Sequence, residues 1–378
     1  MTTLFTALST IPDTRTGNRL TYPLDYVLLV VFCGVMSGFN SWYEMELYAK
    51  NNARDLEKLY KAITSKELTS YTPSHDTFAY IFQRISPIAF QGAFKSWLTA
   101  VFETMGQHIA IDGKTMRGVK RLELDADCHT VSAYIQGLRA TLDQVFISNK
   151  SNEINAIKDL LELIDIEGSI ITIDAIGTQK TIAKKIVDGK GDYVLNVKSN
   201  QPGTLLELEE HFKPAYKKDL VVNQSIDQGH GRVETRTMES LVEIKRFKEL
   251  ELYKDLDKWA DIESIHKLTR VRYDKAKGIE STETSYYISS LNDPKRVFEV
   301  IRQHWSVENN LHYCLDVIMS EDLSAKRKDN EAQNWNIINK IALFFLEKQK
   351  TKTGNALKSL RKLNAGKKPS QIINFNYL

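Results

Sequence analysis

The chain has 378 residues, of which 42% are hydrophobic and 26% charged, and its formal net charge is only +3. This composition is typical of a globular protein with roughly two or three domains, and it excludes a disordered or membrane-embedded chain. Cys33, Cys128 and Cys314 are too few and too widely spaced for a disulfide framework or a paired-cysteine zinc site, so we expect a reducing, cytoplasmic compartment.

The first part of the chain, residues 1–105, has helical periodicity and is predicted to form a helical N-terminal domain. Its most apolar stretch, residues 26–39, is too short to cross a bilayer and is interrupted by Gly34 and Gly38. This stretch therefore predicts a buried helix, and we expect no membrane partner.

Beyond residue 105 the pattern becomes alternating, which indicates strands. The predicted elements are strands near 108–112, 129–136, 142–148, 169–174 and 193–198, and helices near 153–165 and 178–188. Three consecutive strands followed by alternating helices and strands predict an α/β core, residues 106–200, with a mixed sheet flanked by helices.

The remainder of the chain divides into three segments. Residues 201–285 are charged, punctuated by glycine and rich in short β-prone pieces, so we interpret them as a mainly β insertion. Residues 286–350 are predicted to complete the core. Residues 351–378 contain lysine and arginine but no acidic residue, and such a basic tail is suited to a phosphate backbone.

Two acidic residues stand where predicted strands leave the sheet. Asp112 ends an apolar run and is followed by Gly113, and Asp174 ends a β-branched run before a small-residue turn. Two neighbouring carboxylates stay ionised together only around a cation, and magnesium prefers such oxygen ligands. The alternative is a pair of turn or helix-capping residues, which strand-end aspartates often are.

A late helical segment carries a third acid. His304, Glu308 and His312 are four residues apart, so they share one face of a predicted helix. Glu308 is a candidate partner of the two aspartates, while a zinc set formed with the two histidines is the alternative. Glu321 and Asp322 follow closely and compete with Glu308 for the role of third acid.

Ordered sequence motifs surround these acids along nearly the whole chain. They are Asp13-Thr14-Arg15, Tyr22-Pro23-Leu24, Ser37-Gly38 with Ser41-Trp42, Pro73-Ser74-His75-Asp76-Thr77-Phe78, Ile111-Asp112-Gly113-Lys114-Thr115-Met116-Arg117-Gly118, Lys150-Ser151-Asn152-Glu153-Ile154, Thr172-Ile173-Asp174-Ala175, residues 191–201, residues 229–236, Tyr287-Ile288-Ser289-Ser290-Leu291, and His304-Trp305-Ser306-Val307-Glu308-Asn309. In these motifs the chain resembles bacterial insertion-sequence transposases of the Asp-Asp-Glu (DDE) type, in the branch of the H-repeat-associated proteins.

The resemblance implies a ribonuclease-H-like core in which Asp112, Asp174 and Glu308 are the catalytic residues and hold two Mg²⁺ or Mn²⁺ ions. One ion would lower the pKa of a water molecule, and the other would stabilise the leaving 3′ oxygen. The implied activity is DNA transposition: cleavage at the ends of a mobile element and strand transfer into target DNA. The implied partners are double-stranded DNA and further copies of the chain on it, and the implied location is the bacterial cytoplasm, associated with the nucleoid.

Basic and polar residues in these motifs are predicted to contact DNA, because Arg and Lys near a dianionic centre neutralise developing charge. The candidates are Lys114, Arg117, Lys198, Asn200, His230, Arg232 and Arg236. For residues 229–232 an exposed hairpin turn is the alternative. Related groups also place Tyr, Arg and Lys around the glutamate, where this chain has Ile301, His304 and Leu315. The phosphate contacts of those three residues therefore do not carry over.

Two other functions stay open on the sequence. One is a DNA-binding relative that has lost or changed its activity, against which the intact acids argue. The other is a nuclease with the same core that only hydrolyses DNA. The segment that binds the element ends is also open, because residues 1–105 carry almost balanced charge and the basic tail is the stronger electrostatic candidate.

Overall fold

The computed structural model describes residues 3–16, 20–116, 129–147, 152–213, 220–229, 231–244 and 254–373. Five helices form the N-terminal part: α1 (Leu4–Leu8), α2 (Leu24–Met36), α3 (Trp42–Thr64), α4 (His75–Phe82) and α5 (Pro87–Val101). Serine residues begin three of them, since Ser41, Ser74 and Ser86 accept backbone N–H bonds at the starts of α3, α4 and α5. Helix α2 is buried over its whole length, as its apolar sequence predicts.

The described strands form one mixed sheet with the order β3-β2-β1-β4-β5-β9-β8-β7-β6. Their bounds are β1 (His108–Thr115), β2 (His129–Ile135), β3 (Ala140–Ile147), β4 (Ile170–Ile173), β5 (Asp192–Val197), β6 (Val221–Gly229), β7 (Arg232–Val242), β8 (Ser264–Asp274) and β9 (Ile279–Ser289). Strand β1 is antiparallel to β2 and parallel to β4, and β4 is parallel to β5. The predicted α/β class with a large mixed sheet is confirmed.

The segment predicted as an insertion extends the main sheet. Strand β9 pairs antiparallel with β5, and β8, β7 and β6 follow outward in order. One helix, α8 (Pro202–His211), precedes these strands. The segment is therefore mainly β, as its sequence indicates, but its strands continue the core sheet.

Helices cover the sheet on both sides. They are α6 (Glu153–Leu163), α7 (Lys180–Asp188), α9 (Pro294–His304) and α10 (Glu331–Thr353). Two further helices, α11 (Leu357–Ala365) and α12 (Pro369–Ile372), pack on other helices. After α9 the backbone keeps helical dihedral angles through Trp305 and Val307 and continues as two π-helical segments, Glu308–His312 and Cys314–Ile318. Their wider winding is visible in the bond from the Met319 N–H to the Cys314 carbonyl, five residues back. Such π-helical turns are often found at functional sites.

The C-terminal segment is helical as far as Ile372. Helix α11 packs against α2, and α12 packs against α3. Arg361 is buried, and its guanidinium donates to the carbonyls of Val35 and Ile318 and to Asn40 Oδ1. The segment predicted as a basic tail is thus, through Ile372, part of the helical body, while several of its lysines stay exposed. Among the described residues, no helix is long and apolar enough to cross a membrane.

Candidate active site

The three predicted acids line one cavity of about 280 Å³ at the edge of the core. Asp112 lies within β1, Asp174 directly follows β4, and Glu308 begins the first π-helical segment. The prediction that Asp112 ends its strand was wrong, because pairing with β2 carries β1 on to Thr115. The pairing with β4 stops at Ile111, however, so Asp112 is the first β1 residue beyond its parallel neighbour.

A tight turn holds Asp174 at the end of β4. Its Oδ1 accepts the backbone N–H groups of Ile176 and Gly177, at 3.2 and 3.5 Å. A Cβ atom at Gly177 would clash with the Ile173 side chain, so this turn requires glycine. The Asn200 side chain stabilises the turn, because its Nδ2 donates a hydrogen bond to the Ala175 carbonyl oxygen at 2.7 Å. Asp174 therefore caps the turn, as one reading of the sequence expected, and lines the cavity as well.

Asp112, Glu308 and His312 converge closely enough to hold a metal ion. One ligand atom from each residue lies within 4.8 Å of those of the other two. His312 Nδ1 is 3.2 Å from Glu308 Oε2 and 3.7 Å from Asp112 Oδ2. The zinc set considered from the sequence is not assembled among the described residues, because His304 is not part of this group. The His304 ring lies with Nδ1 at 2.9 Å from Thr172 Oγ1.

The electrostatics of this cluster fit a divalent cation. Burial, and then the neighbouring carboxylate of Asp174, raise the pKa of Asp112 to about 7. Without a counter-charge, these acids therefore do not all ionise readily at neutral pH. Carboxylate oxygens suit Mg²⁺ and Mn²⁺, and an imidazole nitrogen is a ligand type more familiar to transition metals. The donor set is therefore compatible with either ion and slightly favours Mn²⁺.

A second cavity of about 300 Å³ shares Glu308, Trp305 and Tyr287 with the first. It is lined by four arginines from β7, β8 and α9, namely Arg236, Arg270, Arg272 and Arg302. We call these four residues the arginine groove. Only Arg236 was among the predicted DNA contacts. Arg270 and Arg272 are two residues apart on β8, so they lie on the same face of the sheet. This spacing is the sequence signal from which a shared basic surface could have been predicted.

The arginine groove is balanced by carboxylates in this structure. Arg302 lies 3.2 Å from Asp227, and Arg272 Nε lies 2.9 Å from Glu234. Arg236 pairs with the same two acids, and Arg270 pairs with Glu283. A phosphate backbone entering the groove would replace carboxylate partners with phosphate oxygens, which guanidinium groups bind in the same forked geometry.

The other predicted DNA contacts occupy different surroundings. Lys198 lines the cavity with the three acids. Lys114 is buried and pairs with Asp316 and with Glu321, the latter at 3.5 Å, so its charge already has partners within the protein. Arg232 begins β7 beside the hairpin that follows Gly229, which agrees with the alternative of a hairpin turn. Arg117 and His230 lie outside the described residues.

Comparison with known proteins identifies the family. Residues 103–345 match the family described as "Transposase DDE domain", and residues 5–98 match the one described as "DDE_Tnp_1-associated". The chain is 35% identical over 364 residues to "Putative transposase YncI" of Escherichia coli O157:H7, spanning 94% of this chain and 90% of that protein. It is 32% identical over 363 residues to "H repeat-associated putative transposase YhhI" of Escherichia coli (strain K12), spanning 94% of this chain and 93% of that protein.

The resemblance to H-repeat-associated transposases is thereby confirmed. Both family matches and both relatives cover the chain from its helical N-terminal part into the sheet and the helices that follow it. Membership of this family implies that the protein binds DNA and uses divalent metal ions. The chain belongs to the family of DDE-domain transposases.

Proposed function

We propose that this protein is a DNA transposase that cleaves phosphodiester bonds at the ends of an insertion sequence and joins the freed 3′ ends to target DNA. The observation that carries the proposal is the convergence of Asp112, Asp174 and Glu308 on one cavity, in a chain that belongs to the DDE family. The alternatives, a repurposed DNA-binding relative and a nuclease that only hydrolyses DNA, share this site and differ in what it does.

A ribonuclease-H-like core is part of the proposal. It is supported by the strand order β3-β2-β1-β4-β5, in which β1 is central, antiparallel to β2 and parallel to β4. We assign residues 106–200 and 286–350 to this core, residues 201–285 to the insertion and residues 1–105 to the associated helical domain. We assign residues 351–378 to a C-terminal segment, whose described part, through residue 373, joins the helical domain through the packing of α11 and α12.

The residues proposed to hold metal are Asp112, Asp174 and Glu308, with His312 beside two of them, and we propose two Mg²⁺ or Mn²⁺ ions. When bound, such ions neutralise charge on the scissile phosphate and lower the pKa of a water molecule. Lys198 lines the same cavity and offers a fixed cation to a phosphate oxygen. The turn after Asp174, held by Asn200, keeps that carboxylate in place for the reaction.

We propose that DNA reaches this cavity along the arginine groove, because the two cavities share lining residues and the groove carries four guanidinium groups. Two element ends must be brought together for strand transfer. We therefore also propose that the protein acts as a homo-oligomer on DNA.

Neutralising an arginine of the groove is expected to weaken the salt dependence of DNA binding. For Arg236→Gln and for Arg302→Gln, the slope of log K against log salt should flatten by about 0.9 for each phosphate that the variant no longer neutralises. The measurement is fluorescence anisotropy with labelled duplex DNA at several salt concentrations. Lys184→Gln is the control for the change of charge, since Lys184 lies outside the groove and is a cation paired with a carboxylate, Asp188, at 2.8 Å. Equal slopes for all variants would show that the groove does not contact phosphates.

The assay that tests the function uses the purified chain and linear DNA carrying the inverted repeats that flank its own coding region. With Mg²⁺ or Mn²⁺ we expect strand cleavage at the repeat boundary and joining of the 3′ ends to a second DNA, and with EDTA we expect neither. Cleavage without joining would favour the hydrolytic nuclease. Specific binding without cleavage in either metal would favour the repurposed relative.

A further inference from the structure

A chain of hydrogen bonds runs between the sheet and α9 and ends at the cavity. His108 Nδ1 is 3.0 Å from Gln303 Oε1, and His108 Nε2 is 2.8 Å from Thr172 Oγ1. The same hydroxyl oxygen is 2.9 Å from His304 Nδ1. His108 and Thr172 are each only 3% exposed, whereas His304 lines the cavity together with the three acids.

The chemistry of these groups sets the direction of every bond. With the Gln303 amide oriented as in this structure, its oxygen Oε1 faces His108 Nδ1 and carries no hydrogen, so Nδ1 donates to it. Neutral His108 then has an unprotonated Nε2, which accepts the single proton of the Thr172 hydroxyl. The Thr172 oxygen in turn accepts from Nδ1–H of His304. Both imidazoles are neutral near pH 7, because burial lowers the pKa of His108 and of His304 to about 4.

A neutral imidazole protonated at Nδ1 has a lone pair on Nε2. We propose that His304 presents this lone pair to the cavity and accepts a hydrogen bond from the attacking hydroxyl group, either the water of the cleavage step or the 3′-hydroxyl of a cut DNA end. Gln303, His108 and Thr172 are positioning residues that select the tautomer. The inference rests on the proposed function for the identity of the hydroxyl, while the tautomer follows from the hydrogen bonds alone.

This role differs from that of a cation at the same position. Related groups of the family place Arg four residues before the glutamate, where this chain has His304. An arginine donates to phosphate oxygens, whereas the unprotonated nitrogen of neutral His304 is repelled by them and accepts hydrogen bonds. The hydrogen-bond donor that the reacting DNA and the surrounding water bring to the three carboxylates is a hydroxyl group. In this chain the phosphate contacts consequently fall to Lys198 and the arginine groove.

The binding experiment uses the full chain with Ca²⁺ and duplex DNA whose end carries either a 3′-hydroxyl or a 3′-deoxy terminus. The protein is expected to bind the 3′-hydroxyl end about two- to tenfold more tightly, the range for one neutral hydrogen bond. Thr172→Val, which removes the hydroxyl of the relay, should abolish this preference, and Thr172→Ser should restore it. A purely structural role of Thr172 would instead lower the affinity for both DNAs equally. That result, or an undiminished preference in Thr172→Val, would overturn the proposal.

The tautomer is measured separately, without DNA, on protein labelled with ¹⁵N-histidine. The resonance missing from His304→Gln identifies residue 304, and its Nδ1 is expected to carry the proton while Nε2 does not. Thr172→Ser is the control that keeps the hydroxyl group between the two rings and should preserve this state. Protonation at Nε2 in the native protein overturns the inference, even if the protein transposes DNA. Conversely, the expected tautomer and 3′-hydroxyl preference in a protein that never cleaves DNA would uphold the inference and overturn the proposed transposase activity.

Discussion

Asp112→Asn is expected to lower the rate of DNA cleavage by about a thousandfold or more, and Asp174→Asn is expected to do the same. Each substitution removes a charged ligand from the cavity, and a loss of about 4 kcal/mol of transition-state stabilisation corresponds to a thousandfold rate change. DNA affinity should be unchanged or slightly higher, because a negative charge near the phosphates is lost. Single-turnover cleavage of end-bearing DNA, with saturating Mg²⁺ or Mn²⁺, measures the effect.

The matched control for these variants is Asp159→Asn, since Asp159 is exposed on the surface of α6 and makes the same change of charge. It should cleave at the native rate. Undiminished cleavage by either Asp112→Asn or Asp174→Asn would refute the assignment of that residue to the reaction. Loss of cleavage in Asp159→Asn as well would point to a general electrostatic effect.

Glu308 and Glu321 are expected to respond to substitution in opposite ways. The Glu308 side chain is 69% exposed and lines the cavity. Glu308→Gln should therefore lower the cleavage rate about as much as Asp112→Asn does and leave the midpoint of unfolding unchanged. The Glu321 side chain is 5% exposed, forms an ion pair with Lys114 at 3.5 Å and accepts a hydrogen bond from Asn336 Nδ2 at 2.8 Å. Glu321→Gln should therefore cost about 2 kcal/mol in the free energy of unfolding, because it removes one charge of a buried ion pair.

Two measurements on the same preparations separate these residues: chemical denaturation monitored by circular dichroism, and cleavage in Mn²⁺ at a temperature where both variants are folded. Glu308 and Glu321 compete for the role of third acid on sequence alone, and the experiment decides between them. A destabilised Glu308→Gln, or a fully stable Glu321→Gln that is inactive when folded, would reverse the assignment.

Elements and motifs with strong local signals were largely predictable. The apolar stretch at 26–39 supplies most of the buried helix α2, which ends at Met36. The β-branched run before Asp174 forms β4, which ends at Ile173, one residue short of the predicted strand 169–174. The end of β1 was not predictable, because Gly113 suggests a turn and only the pairing with β2 extends the strand to Thr115. The sequence of the C-terminal segment predicts a charged tail because it has many lysines and few apolar residues. Those apolar residues contribute to the core only because α11 packs against α2 and α12 packs against α3.

Within the site, the histidines show the limit of helical spacing. His304 and His312 lie on one face of an ideal helix, but the wider winding of the π-helical segment Glu308–His312 departs from that geometry. His304 bonds to Thr172 of β4, while His312 lies beside Asp112 of β1. Lys114 is a similar case, since its position near Asp112 suggests a DNA contact and the acids at 316 and 321 surround it in the fold.

The sequence by itself determined the family, the α/β class and the order of the three acids, because these depend on local patterns and ordered motifs along the chain. Only the tertiary structure decided which side chains meet: Asp112 with Glu308 and His312, Lys114 with Asp316 and Glu321, and the arginines of β7 and β8 with Arg302 of α9. Each of these contacts joins residues far apart in the chain. Periodicity specifies which face of an element is buried, whereas the packing of elements specifies what lies against that face.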